Sequence, residues 1–83
     1  MAEKKVKTNS DRILRIYDLC QEHFGNVRFV GVKFHGKIGW IAKVQLDDND
    51  DFGNLTADGD DATDALRNLK NRVKKIIKRY NTV

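Results

Sequence analysis

The sequence predicts an α+β domain: a three-stranded antiparallel sheet with two helices on one face, in the order α-β-β-β-α. Three observations predict it. Apolar residues recur at steps of three and four near both ends of the chain, they alternate with a period of two between those ends, and glycine or aspartate clusters stand where one pattern gives way to the next. Placing both helices on one face of the sheet is the simplest packing that buries every apolar stripe. Eighty-three residues suffice for one such core and leave little room for a deep catalytic cleft.

Residues 1–8, with Lys4, Lys5 and Lys7, read as a flexible basic tail, and residues 9–83 as the single domain. Asn9 or Ser10 offers a side-chain oxygen to cap a first helix over Asp11 to Phe24. Ile13, Ile16, Tyr17, Cys20 and Phe24 share its apolar stripe, and Gly25 is placed to end it in a left-handed conformation. From Val27 the period becomes two. Val30, Val32 and Phe34 alternate with Gly31 and Lys33, His35-Gly36-Lys37 holds the glycine of a tight reversal, and Ile38, Trp40, Ala42, Val44 and Leu46 line one face of a returning strand. Asp47-Asp48-Asn49-Asp50-Asp51 is composed for a turn, and it misses the calcium-loop spacing in both registers: counted from Asp47, Gly53 is seventh instead of sixth, and counted from Asp48, Phe52 takes the fifth ligand position and Gly59 that of the bidentate glutamate. A third strand fits Gly53 to Ala57, with Leu55 and Ala57 facing opposite Asn54 and Thr56. Gly59 then turns the chain, and Asp60 or Asp61 caps a last helix over Ala62 to Tyr80. Its stripe of Ala62, Ala65, Leu66, Leu69, Val73, Ile76, Ile77 and Tyr80 is unbroken.

Composition narrows the function classes. No apolar run approaches the roughly 20 residues of a membrane helix. The chain is expected to be cytoplasmic, with no membrane partner. A single cysteine, Cys20, rules out an internal disulfide and a cysteine-cluster zinc site, and its place on the apolar stripe reads as a buried thiol. His23 and His35 lack neighbours at ligand spacing and read as surface residues, so no metal or other cofactor is expected. No nucleophile elbow or phosphate-binding glycine loop is present, and the chain reads as a non-catalytic binding module, not an enzyme.

What the sequence offers for binding is charge. Between Asp47 and Asp64 stand eight acids and no base; between Arg67 and Arg79 stand seven bases and no acid, within a formal net charge of +4. The candidate binding residues are Arg67, Lys70, Lys74 and Lys78 in one helical stripe and Arg72, Lys75 and Arg79 in a second. Such stripes suit a duplex nucleic acid held by its phosphates, or an acidic protein surface. Acids early and bases late in a helix also complement its dipole, which is the plainer reading of the same pattern. Single strands are disfavoured because Trp40, Phe34, Phe24 and Tyr80 fall on core faces, leaving Phe29 and Phe52 for stacking. A homodimer through a sheet edge or helix face is the remaining alternative.

Two resemblances follow from these residues. The helix-strand-strand-strand-helix order over Ser10 to Tyr80 is similar to the double-stranded RNA-binding domain, which implies phosphate contacts at a lysine-rich start of the last helix. Here that turn is Gly59-Asp60-Asp61-Ala62-Thr63-Asp64, of opposite sign. Gly39-Trp40-Ile41-Ala42-Lys43-Val44, followed by Gly59-Asp60, Ala65-Leu66, Asn68-Leu69-Lys70 and Val73, resembles HicB-type antitoxin domains over residues 28–77. It lacks the proline-containing segment after the second strand and the C-terminal DNA-binding module, and it adds a first helix. That resemblance implies a non-catalytic protein-interaction or inhibitory module that masks a partner, of the kind carried by mobile elements.

Overall fold

A computed structural model of the chain describes residues 8–25, 27–46 and 54–81, with side chains described through residue 79. Its elements follow the expected order: α1 (Asn9–His23), β1 (Val27–His35), β2 (Gly39–Leu46), β3 (Asn54–Gly59) and α2 (Ala62–Asn81). The strands form one antiparallel sheet in the order β1-β2-β3, which makes the fold α+β.

The first helix starts earlier than its candidate caps suggest. Thr8, and neither Asn9 nor Ser10, caps α1: the Asp11 N–H donates to Thr8 Oγ1 and the Thr8 N–H donates to Asp11 Oδ2, each at 3.1 Å. This reciprocal box satisfies two donors where a lone asparagine would satisfy one. Asn9 ties the helices together instead, its Oδ1 accepting from Thr63 Oγ1 at 3.0 Å. At the other end the helix stops at His23, one residue short of the expected Phe24, which is its C-cap; Gly25 follows at φ 72° and donates to the carbonyls of Cys20 and Gln21.

Strand pairing sorts the sheet residues by parity. Val30 stands opposite Val44 and Val44 opposite Leu55, while Val32, Ala42 and Ala57 form the next row. Those rows meet Ile16 and Cys20 of α1 and Ala65, Leu66, Leu69, Val73 and Ile77 of α2 in one core. Both helices therefore lie on one face. Leu19 joins the core's margin, whereas Tyr17, expected on the stripe, is exposed; the side chain of Tyr80 lies outside the described residues.

Four expectations for the sheet are corrected. Phe34 has the expected parity, opposite Trp40, yet is 61% exposed, its ring 5.4 Å from that of Trp40 in an edge-on contact. The helix layer does not cover this end of the hairpin. Ile38 belongs to the turn, not to the strand's buried face, and is also exposed; the positive φ of the reversal falls on Gly39 (103°), not on Gly36. The third strand runs two residues beyond Ala57, while its expected start at Gly53 and the acidic run Asp47–Asp51 lie outside the described residues.

Gly59 ends β3 where α2 lands on it. A Cβ there would collide with the backbone N of Ala65 and stand 2.7 Å from Asp64 Cβ, so only glycine admits the first turn of α2 at this distance. Of the two cap candidates Asp61 acts, its Oδ1 accepting from the Asp64 N–H at 2.8 Å.

Candidate nucleic-acid interface

Burying one stripe of α2 fixes where its charges go. Lys70 is half-buried; Arg67, Arg72, Lys74, Lys75, Lys78 and Arg79 are exposed. At about 100° per residue, the stripe of Arg67, Lys70, Lys74 and Lys78 is centred about 130° around the helix from that of Arg72, Lys75 and Arg79. They flank the core stripe on opposite sides. The seven cations are thus two surfaces: one beside α1, the other beside the edge of β3.

On the α1 flank the structure adds residues that sequence reasoning missed. A groove of about 260 Å³ between the helices has Ile16 and Leu66 as its floor and Arg12, Arg15, Arg67 and Lys70 around it. Arg67 Nη1 stands 3.9 Å from Asp64 Oδ1, the arginine largely and the aspartate partly in water, a geometry that contributes little. Arg12 Nη1 donates to Asn9 Oδ1 at 3.5 Å, at the edge of hydrogen-bonding distance. Arg12, Arg15, Arg67 and Lys70 thus bring four basic side chains around one concavity, which gives this flank a positive field.

The β3 flank is built differently. A larger groove, about 750 Å³, runs between α2 and the strand and is lined by Asn68, Asn71, Arg72 and Lys75 on the helix side and by Thr56 and Asp58 on the strand side. Asn68 Nδ2 donates to the backbone carbonyl of Asp58 at 2.8 Å.

Elsewhere the chemistry is sparse. Cys20 is fully enclosed, and desolvation pushes its thiol up from 9.0 to about 11, which leaves it neutral and poorly nucleophilic. Both histidines are exposed, and His35 Nδ1 accepts from the Lys37 N–H at 3.2 Å. Among the described residues no group of three His, Cys, Asp or Glu side chains gathers as metal ligands would, and no helix is long and apolar enough to cross a membrane. Phe52 lies outside the described residues; Phe29 is half-exposed on the sheet face away from the helices, its ring edge over Gly31.

Comparison with family models, with curated proteins and with solved structures finds no match to this chain. The class that the fold defines is a small α+β domain carrying a basic helix.

Proposed function

We propose that the chain is a non-catalytic nucleic-acid-binding module that holds a duplex, chiefly by charge, through the basic faces of α2. The observation that carries this reading is the α1 flank. There Arg67, Lys70, Lys74 and Lys78 run along one side of α2, and Arg12 and Arg15 of α1 widen the same surface to two helices. Contacts of this kind hold phosphates and do not read bases. With four to six of them engaged, log affinity falls with log salt at a slope of about −4 to −5. The test is a titration of duplex DNA, duplex RNA and single strands at two salt concentrations, repeated with K70E/K74E/K78E. Loss of duplex binding with a melting temperature within a few degrees of the parent supports the reading. Unchanged affinity ends it. The single-strand arm matters because Phe34 and Phe29 both stand in solvent, where they offer stacking surfaces.

A second reading is a protein-interaction or inhibitory module of antitoxin type. What favours it is the groove beside β3, which presents backbone as well as charge. A complex that survives nuclease treatment and moderate salt distinguishes it from the first.

A further inference from the structure

We propose that the edge of β3 is a strand-addition site for an extended acidic peptide of another protein, with Arg72 and Lys75 receiving its carboxylates. This develops the second reading above and does not depend on duplex binding.

The sheet order leaves the outer side of β3 without a strand beside it among the described residues. In an extended strand the N–H and C=O of one residue point to the same side, and the side alternates from residue to residue. The Gly59 carbonyl faces β2, 3.5 Å from where a Cβ on Gly39 would stand, so by alternation Asp58, Thr56 and Asn54 turn their backbone groups outward, and Asn68 Nδ2 reaches the Asp58 carbonyl there. One outward carbonyl already accepts from a side chain. The groups of Thr56 and Asn54 remain to pair with an incoming strand, as in peptide recognition by edge augmentation.

Charge selects the occupant. After Gly59 the chain reverses, so α2 runs back along β3 and its first turns lie by Asp58. From Asn68 to Lys75 the helix rises about 10 Å, and from Asp58 to Asn54 the strand spans about 13 Å. Arg72 and Lys75 line the groove with Thr56 and Asp58, so two cations there stand against one carboxylate. A peptide paired there places alternate side chains toward the helix, where carboxylates meet an arginine fork and an ammonium. The opposite alternates face Ile38 and Ile41, which also line the groove. A second copy of this chain is the poorer fit: pairing two β3 edges about a two-fold axis sets two α2 helices side by side, with Arg72 and Lys75 of each toward their counterparts.

The test uses a fluorescent eight-residue peptide alternating glutamate and threonine, titrated against the full chain, with a lysine-threonine peptide and a version N-methylated at alternate residues as comparisons. Binding of the glutamate peptide, with the Thr56 amide gaining protection from hydrogen exchange, is expected. N-methylation and the R72E/K75E variant each weaken it by about tenfold or more. Both replaced residues are exposed, so that variant keeps its fold. The inference fails if the lysine peptide binds equally well, if N-methylation changes nothing, or if Thr56 gains no protection. It fails equally if the chain alone sediments as a dimer through β3, or if a single-stranded oligonucleotide displaces the peptide as an equal competitor. Since K70E/K74E/K78E spares this groove, loss of duplex binding in that variant and loss of peptide binding in R72E/K75E are separate results.

Discussion

The two flanks of α2 carry the same sign of charge and differ in what stands opposite. Beside Arg67 and Lys70 stands another helix, which contributes Arg12 and Arg15 and no free backbone, so that flank offers charge and an apolar floor. Beside Arg72 and Lys75 stands an edge strand, which contributes hydrogen-bonding main chain and Thr56. One helix thus faces two environments. A row of lysines and arginines has no fixed meaning; the neighbouring element decides whether it meets a rod of phosphates or a strand with a direction and a register.

The comparison is broken most severely from beneath. Leu69 is fully enclosed below α2, and both flanks depend on the stripe it belongs to. Replacing it with alanine removes buried apolar area and leaves a cavity, a loss of about 2 to 5 kcal/mol on the scale of such substitutions. In a domain whose total stability is of order 5 to 10 kcal/mol, L69A should lower the urea midpoint steeply and weaken duplex and peptide binding together. If one ligand still bound as tightly at temperatures where L69A is half unfolded, the flanks would not share a foundation.

How much of this was legible in the sequence follows from the range of each interaction. The stripe from Ala65 to Ile77 and the alternation from Trp40 to Leu46 are local repeats, and they located the core because burial acts on each residue's own element. Phe34 shows the limit: alternation gave its face, but whether a helix covers that spot depends on where α1 and α2 stop over the sheet. Arg12 and Arg15 were passed over for a related reason, since nothing within α1 marks them until packing sets them against Arg67 and Lys70. The edge of β3 depends on strand order, a property of the whole chain. The Thr8 cap was readable as a Thr-x-x-Asp box, and was missed because Asn9 and Ser10 are themselves good cap residues.

A milder perturbation acts on α1 alone. The Cys20 thiol titrates near 9.0 when unfolded and at about 11 in the enclosed site, so between those values the unfolded chain has released a proton that the folded chain retains. Fewer protons bound in the unfolded state make stability fall as pH rises, at about 1.4 kcal/mol per pH unit for one group. The contribution is constant below pH 9 and its loss is complete above 11. Urea denaturation of the parent and of C20A at pH 8 and pH 10.5 should show the parent losing about 2 kcal/mol more than the variant, as those two pKa values require. An equal loss in both would mean that the thiol is reached by water, and that α1 packs less firmly than the α2 stripe does.

The smallest change separates the flanks most cleanly. Thr8 holds the first turn of α1, and from that turn Asn9 bonds Thr63 while Arg12 enters the groove. Removing a capping hydroxyl costs about 1 kcal/mol, felt mainly as fraying of that turn. T8A should therefore loosen the α1 flank and leave β3 with Arg72 and Lys75 unaltered. Duplex affinity is expected to fall a few-fold while affinity for the glutamate-threonine peptide stays within error, both read by anisotropy at one salt concentration. A parallel loss of both would show that the flanks communicate through α2. An unchanged duplex affinity would remove Arg12 from the proposed phosphate surface and leave that role to α2's own lysines.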